Sequence, residues 1–305
     1  MVDVWVRRYQ EGESLKQIAA DLVDSVTVWN HLRARGVVLR DKVEAQIKAV
    51  TKHERRSFSG DALDRAYLIG LRYGDFDVVR HGRAIRVRVS TTHPAMAELF
   101  ESLFSSYGHV AKYPRRDRLT GHEWNLECDL DASFEFLLKK PAAQDLEALD
   151  LEEFLAFLAG FFDAEGSIYL HKKSNGWAPE LSITNTERQI LELVGKRIEE
   201  IGVRSSLNEY GQGANRLGYL SEGRIHRLQV WQIDSVRGLL KRLGLRHEEK
   251  VSKAKIALLF ESPLNRVKNH GQIRSWKSLS KMIEYGRVEF MEKAKEVIRH
   301  QQGDI

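Results

Sequence analysis

The chain has 305 residues, which is enough for two or three domains with buried cores. Its 48 Lys and Arg residues outnumber its 43 Asp and Glu residues, and the formal net charge of +5 suits a polyanionic partner. The single cysteine, Cys128, excludes an internal disulfide and a CxxC metal site. No apolar run reaches the roughly 18 residues that a membrane span needs. We therefore expect no membrane partner and a cytoplasmic protein of a prokaryotic or organellar compartment.

Residues 1–50 are predicted to form a small all-α domain. Ser14 is placed to begin a second helix and Ser25 a third, and Gly36 ends the third. The pattern resembles a helix-turn-helix of the resolvase or sigma-factor type, in which Asn30 and Arg33 would face DNA. The alternative is a set of three helices that only packs on the main body.

The rest of the chain reads as a repeat of α-β-β-α-β-β-α. Each copy begins with an apolar helix and alternates short strands with amphipathic helices. The acidic segment between the copies, with five acids and no base in residues 141–153, is interpreted as a linker. The predicted parts are a first subdomain at 51–140, a linker at 141–150, a second subdomain at 151–260 and a helical extension at 261–305 that we expect to pack on the second half.

Small residues recur every four positions in the first helix of each copy. Ala156, Gly160 and Ala164 form the stripe in the second copy, and an acid, Glu165, follows it at once. The first copy has the same stripe and an acid at the same offset, at Ala66, Gly70, Gly74 and Asp75. Small residues at this spacing let two helices approach closely, so we expect the two helices to pair and the two acids to emerge side by side.

These residues carry a family resemblance. The segment Leu158–Gly166 (LAGFFDAEG) resembles the signature of LAGLIDADG homing endonucleases almost letter for letter, and Leu68–Phe76 (LIGLRYGDF) is a more distant copy. The first copy departs from the signature at its sixth position, Tyr73, and at its ninth, Phe76. The resemblance implies an α+β fold, a pseudo-twofold duplicated α-β-β-α-β-β-α unit with two antiparallel DNA-binding sheets, in the single-chain, two-motif, intron-encoded type.

The resemblance also implies the chemistry. The family holds divalent metal on the acid at the eighth position, which assigns Mg²⁺, with Mn²⁺ or Ca²⁺ able to substitute in binding, to Asp75 and Glu165 beside Gly74 and Ala164. Mg²⁺ prefers oxygen ligands and takes few of them from protein. The family also uses a basic residue near each site; by position this is Lys250 in the second half, with Lys139 or Lys140 as a weaker candidate in the first. No pattern for a protein general base is visible.

DNA contacts are predicted on the strands of both halves. In the second strand of the first copy, Arg86, Arg88 and Ser90 alternate with Ile85, Val87 and Val89, giving an arginine face and an apolar face. Arginine reads guanine bidentately in the major groove. The full predicted set is Arg80, Arg83, Arg86, Arg88, Lys112, Arg115, Arg116, Arg118, Lys172, Lys173, Arg216, Arg224, Arg227 and Gln229.

Three functions remain open at this level. The leading hypothesis is a monomeric, Mg²⁺-dependent, site-specific endonuclease that cuts both strands of DNA across the minor groove and leaves short 3′ overhangs. The second is a transcription regulator of the same fold that binds DNA without cutting it. The third is a maturase that binds intron RNA, which is compatible with the first.

Overall fold

The structure is a computed structural model, and it describes residues 1–20, 23–41, 53–117, 119, 121–173, 176–210, 224–260 and 269–302. The chain divides into two compact units, Met1–Glu54 and Arg55–Ile305. No described helix is both long enough and apolar enough to cross a membrane.

The first unit is a small helical bundle with its own core. Ser14 begins the second helix with a reciprocal pair of bonds: its hydroxyl accepts from the Gln17 amide, and the Gln17 side chain accepts from the Ser14 amide. Gly36 follows the third helix with a positive φ of 69°, as its predicted stop position requires. Among its described residues, the helices are α1 (Val2–Gln10), α2 (Leu15–Ala19) and α3 (Ser25–Ala34). Their buried side chains are Trp5, Tyr9, Ile18, Ala19, Val28 and Leu32.

The second unit contains the predicted repeat. The first copy comprises α4 (Ala62–Tyr73), β1 (Asp77–His81), β2 (Ala84–Thr91), α5 (Pro94–Phe104), β3 (Val110–Asp117), β4 (Gly121–Leu130) and a 3₁₀ helix (Ala132–Leu137). A short helix, α6 (Ala143–Glu147), lies within the predicted linker. The second copy comprises α7 (Leu151–Glu165), β5 (Gly166–Lys173), β6 (Gly176–Asn185), α8 (Arg188–Glu200), β7 (Ser206–Tyr210), β8 (Ile225–Val230) and α9 (Ile233–Leu240). Two further helices follow, α10 (Glu248–Leu258) and α11 (His270–Gln302).

The two sheets have the same topology. Their strand orders are β1-β2-β4-β3 and β5-β6-β8-β7, and every pairing is antiparallel. In each sheet one face carries the alternate apolar residues of the strands and packs on helices, as the period of two requires. The predicted fold class, a duplicated α+β unit with two antiparallel sheets, is confirmed.

Helices α4 and α7 pack at the centre of the unit with their backbones in near contact. A Cβ added at Gly70 would lie 2.1 Å from the Phe157 carbonyl oxygen, and one at Gly160 would lie 2.0 Å from the Tyr67 carbonyl oxygen. Neither position can hold a side chain, which explains the stripe of small residues in each helix. The sequence-based expectation that these two helices pair is correct.

Gly166 marks the junction between α7 and β5. It has φ −76° and ψ 149°, so it begins β5 in an extended conformation and is not a left-handed helix cap. A Cβ there would lie within 2.5 Å of the Phe162 carbonyl oxygen and ring. The glycine is therefore required by crowding at the helix-to-strand junction.

The C-terminal helix α11 packs against the first copy as well as against α10. The indole Nε1 of Trp124 in β4 donates to the Phe290 carbonyl oxygen at 2.8 Å, and the Arg287 guanidinium donates to the Thr92 hydroxyl at 3.2 Å. The helix contacts α10 of the second half, as expected, and it also packs on the first copy, because the aromatic face of β4 supplies an apolar surface that the sequence pattern did not assign to it.

Candidate active site

The paired helices bring the two acids of the motifs together. Asp75 lies two residues after the end of α4, and Glu165 is the last residue of α7. A Cβ on Gly74 would lie 2.3 Å from the Ala164 Cβ and 2.9 Å from the Glu165 Cγ, so the two chains meet at the point where the acids emerge. Both carboxylates line one cavity of about 390 Å³.

Each of the two acids is held in an environment that disfavours its charge. The surrounding protein desolvates the Asp75 carboxylate and raises its pKa, although part of this side chain is exposed. Burial and the neighbouring charge of Asp75 raise the pKa of Glu165 to about 7. A cation beside the pair would relieve both effects.

Lys250 supplies one fixed positive charge at this site. It lies in the first turn of α10, and it is half-buried. Its ammonium group donates to three carbonyl oxygens at the C-terminal end of α7: Phe162 at 2.8 Å, Ala164 at 3.1 Å and Asp163. Burial lowers its pKa to about 8, against the opposing effect of the nearby carboxylates. It is therefore largely a cation at neutral pH.

A buried acid positions that lysine. The Asp163 carboxylate accepts from the Tyr67 hydroxyl at 2.7 Å and from the backbone amides of Arg246 at 2.6 Å and His247 at 3.2 Å. These amides lie immediately before α10, so Asp163 ties the beginning of α10 to the end of α7. Asp163 itself is fully buried, and it serves the site through Lys250.

Lys140 occupies the corresponding place in the first copy. Its ammonium group donates to the Tyr73 carbonyl oxygen, at the end of α4, at 3.3 Å. The Tyr73 hydroxyl donates to the Pro141 carbonyl oxygen, which fixes the backbone beside Lys140 as Asp163 fixes the backbone before Lys250. Between the two candidates, Lys139 and Lys140, this contact favours Lys140. The lysine also forms an ion pair with Glu187 at 3.1 Å.

The residues at the cavity fit a divalent cation. Among the described residues no group of three or more His, Cys, Asp and Glu side chains forms a metal cage. Mg²⁺ nevertheless binds well to one or two carboxylates when it keeps several waters and takes substrate phosphate oxygens. Asp75 and Glu165 supply those carboxylates. The Ala164 carbonyl oxygen already accepts a hydrogen bond from Lys250, so the Gly74 carbonyl oxygen is the better backbone candidate for a metal ligand.

The polar face of the first sheet carries arginines that are already paired. Arg86 donates to both carboxylate oxygens of Asp129, at 2.7 and 2.8 Å, and Arg88 donates to Asp77. Arg86 also lies 3.6 Å from Glu127. This face therefore presents alternating donors and acceptors, a pattern suited to base edges more than to phosphates.

Strand register separates the predicted DNA-binding residues into two groups. Lys112 pairs in register with buried Leu126, contacts Glu101 at 3.3 Å and lies over the Phe290 ring, so it is on the helix-covered face. Arg80 pairs in register with Ile85 and bonds to Glu135 of the 3₁₀ helix on that same side. Both residues therefore lie on the opposite face of the sheet from Arg86 and Arg88, so their predicted DNA contacts would not be made from the arginine face.

The remaining predicted positions divide by the same alternation. Arg116 shares the parity of Lys112, and Lys172 shares that of buried Ile168, so both belong to the apolar side. The other described positions lie on the polar faces, in the exposed turn of the first copy or at the exposed start of β8. They are Arg83, Arg86, Arg88, Arg115, Lys173, Arg224, Arg227 and Gln229. Arg118 and Arg216 lie outside the described residues.

The polar face of the second sheet is also hydrogen-bonded within itself. Gln229 donates to the Tyr169 hydroxyl at 3.1 Å, and Lys173 lies 3.2 Å from Glu180. At the exposed end of the sheet Arg224 contacts Glu209 at 2.8 Å. In the separate N-terminal unit, Asn30 and Arg33 are exposed on α3.

Comparison with known proteins finds one similar domain and several relatives. A sequence profile described as a LAGLIDADG-like domain matches residues 152–244. This segment of the second half is therefore similar to a LAGLIDADG-like domain. An uncharacterized protein of Methanocaldococcus jannaschii, MJ0314, is 21% identical over 193 residues, which cover 62% of this chain and 72% of the relative.

The chain is also similar to solved structures of two homing endonucleases and of a DUF199/WhiA protein. The homing endonuclease I-WcaI, bound to its DNA recognition sequence, has a TM-score of 0.48 at 14% identity and covers 75% of this chain and 98% of that one. A mesophilic variant of the homing endonuclease I-DmoI has a TM-score of 0.41 at 17% identity, with 60% and 95% coverage. Full-length DUF199/WhiA from Thermatoga maritima has a TM-score of 0.43 at 15% identity, with 73% and 69% coverage.

The candidate site contains a residue that the sequence did not single out. His93, the residue before α5, lines the cavity with Asp75 and Glu165, and its Nδ1 lies 2.9 Å from a carboxylate oxygen of Glu249 in α10. The one local signal was its place before Pro94, at the end of β2. Its partner is 156 positions away, so no spacing argument reaches it.

Proposed function

We propose that this protein is a divalent-metal-dependent, site-specific DNA endonuclease of the homing type. The observation that carries the proposal is the pairing of Asp75 and Glu165 at one end of two backbone-packed helices, in a single cavity beside Lys250. A single acid at the end of one helix would not by itself indicate a site for a cation. Two acids, one from each copy, form a site for a cation between two sheet faces that can each contact DNA.

The division of labour among the residues follows from their positions. Asp75 and Glu165 would hold Mg²⁺, which supplies charge neutralisation at the attacked phosphate and lowers the pKa of water when bound. Lys250 and Lys140 each place a cation near one end of the helix pair, where charge on the phosphate and the leaving oxygen develops in the transition state. Arg86 and Arg88 are positioned for base contacts instead.

DNA recognition in this proposal relies on exchange of hydrogen-bond partners. Arginine donates to guanine O6 and N7, and a carboxylate accepts from cytosine N4. The paired side chains Arg86 and Asp129 can therefore address the two bases of one G·C pair without leaving either charge unpartnered. Intron encoding, monomeric action and 3′ overhangs belong to the same proposal.

The test is cleavage of DNA that spans the insertion site without its intron, with Mg²⁺ and with chelator. We expect metal-dependent double-strand breaks at one position. Asp75→Asn and Glu165→Gln should each abolish double-strand cleavage and leave DNA affinity within about threefold, because neither acid lies on the sheet faces. Glu152→Gln, an exposed acid in the first turn of α7, is the matched control and should cut normally. Retained cutting in both site variants would refute the assignment.

A second candidate is a DNA-binding regulator without cleavage. The observation that favours it is the separate helical unit Met1–Glu54, whose α3 exposes Asn30 and Arg33 and which needs no catalytic partner to bind DNA. Tight, sequence-specific binding with no break in Mg²⁺ or Mn²⁺ would select this alternative. Removal of residues 1–54 should weaken target binding in either case and leave cleavage intact in the first.

A further inference from the structure

The repeat gives the site two equivalent corners, one at His93 and Glu249 and one at Glu187 and Lys140. The side chains at the two corners differ in their chemistry. Each corner contains the residue that caps the helix after the second strand of its copy: His93 before α5 and Glu187 before α8. Each of these residues contacts a side chain that follows a copy of the repeat. His93 bonds to Glu249, and Glu187 bonds to Lys140.

The difference between the corners is the difference between an imidazole and a carboxylate. At the first corner a histidine is available in addition to the fixed cation of Lys250. At the second corner the Lys140 ammonium group donates both to the Tyr73 carbonyl oxygen at the end of α4 and to Glu187, and the residue before the helix is an acid. Asp75, Glu165 and His93 line the same cavity, whereas the cavity of about 560 Å³ around Lys140 and Glu187 is lined by neither acid of the helix pair.

His93 is held firmly at the first corner. Its backbone amide donates to the Thr91 hydroxyl at 2.9 Å, and Pro94 restricts the backbone that follows it. Its Nδ1 lies 2.9 and 3.0 Å from the two carboxylate oxygens of Glu249. Burial raises the pKa of Glu249, but its hydrogen bond with His93 and the surrounding positive charge outweigh burial and lower this pKa, so the carboxylate stays ionised.

An ionised carboxylate on Nδ1 fixes the imidazole tautomer. In the neutral imidazole the proton then lies on Nδ1, and Nε2 carries a lone pair. Within the part of the chain that the structure describes, no hydrogen bond is assigned to Nε2, and the side chain is half-buried at the cavity wall. This is the arrangement of a general base oriented by an acid.

On the basis of the proposed endonuclease function, we propose that His93, oriented by Glu249, is the proton acceptor for hydrolysis at one of the two scissile phosphates. The water oxygen forms a bond to phosphorus as Nε2 takes one of the water protons. The bond from phosphorus to the leaving deoxyribose oxygen breaks with its electron pair, and that oxygen takes a proton from solvent. With no counterpart at the second corner, the two strands are cut by unequal chemistry.

The test measures the cutting of each strand separately. The mapped target duplex carries a different end label on each strand, and rate constants are measured in Mg²⁺ under single-turnover conditions for the wild type, His93→Gln, Glu249→Gln and His109→Ala. Glutamine can still donate to Glu249 but cannot take up a proton, so it separates a structural role from a catalytic one. His109 is an exposed loop histidine of the same copy and serves as the matched control.

We expect His93→Gln to slow one strand by about 100-fold or more and the other by less than about threefold, so that nicked duplex accumulates. Glu249→Gln should slow the same strand by a smaller factor, and His109→Ala should match the wild type. Equal slowing of both strands, or wild-type rates in His93→Gln, would overturn the assignment of His93 while the endonuclease function stands. A wild type that cuts neither strand would overturn both proposals.

Discussion

Replacing Gly160 by alanine should lower the free energy of unfolding of the second unit, even though the substitution adds only one methyl group. Gly160 lies in the middle of α7, where alanine is ordinarily the better helix former by about 1 kcal/mol. The added methyl carbon would lie 2.0 Å from the Tyr67 carbonyl oxygen and 3.1 Å from the Leu71 amide nitrogen. These neighbours are backbone atoms of α4, so no side-chain rotation can make room for it.

The magnitude follows from how far the helices would have to separate. An ordinary carbon-to-oxygen contact needs more than about 3 Å, so α4 and α7 must move apart by about 1 Å. A gap of that size forfeits about a quarter to a half of each dispersion contact along the seam. Overpacking against movable side chains costs about 1–3 kcal/mol, and a backbone clash belongs at or beyond the upper end of that range. After the helix-propensity gain, we expect a net loss of about 2–4 kcal/mol.

Urea unfolding followed by far-UV circular dichroism measures this loss. Gly238→Ala is the matched control, because Gly238 lies in α9 and its added Cβ would meet only the movable Arg242 side chain, at 3.4 Å. That variant should be unchanged or up to about 1 kcal/mol more stable. A free energy of unfolding for Gly160→Ala within about 1 kcal/mol of wild type would refute the close-contact reasoning.

Three other predictions follow from buried or paired groups. Burial lowers the pKa of His247 to about 3, whereas an unfolded histidine titrates near 6.5. Below about pH 6.5 the unfolded state therefore binds a proton that the folded state does not, and the protein loses stability. Between pH 7 and pH 5, the free energy of unfolding in urea should fall by about 2 kcal/mol less in His247→Gln than in the wild type. Tyr67→Phe removes the 2.7 Å bond to Asp163 and should cost about 2 kcal/mol, and wild-type stability in chemical denaturation would contradict it. Arg88→Ala should weaken target binding in Ca²⁺ by about tenfold or more, whereas Lys112→Ala should leave the anisotropy-derived affinity within about twofold.

The sequence predicted the parts of the fold whose cause is local. The stripe around Gly70 and Gly160 identified the helix pair because only small side chains fit a backbone contact, and that requirement is visible at fixed spacing. The alternation in β2 assigned Arg86 and Arg88 to one face because its apolar partners are all β-branched. The same reasoning failed for Lys112, since β3 lacks a regular apolar alternation and its face is decided by pairing with β4.

The unpredicted parts of the site depend on contacts between distant segments. His93 reaches Glu249 across 156 positions, and Asp163 reaches the Arg246 amide across 83. Neither partner is marked by a motif, because a single hydrogen bond to a backbone amide or carboxylate constrains only one residue on each side. Lys250 was predicted by position, but its three bonds to the end of α7 depend on where α10 begins, which Asp163 decides.

The long helix α11 has a consequence for how the protein is made. It spans 33 residues, about 50 Å, and its Phe290 carbonyl accepts from Trp124, a residue synthesised 166 positions earlier. On the ribosome the first sheet is therefore complete in its strands long before this face is covered. The first sheet to be synthesised is the last to have this face covered. Trp124 stays accessible to chaperones and to other nascent chains until α11 has left the ribosome.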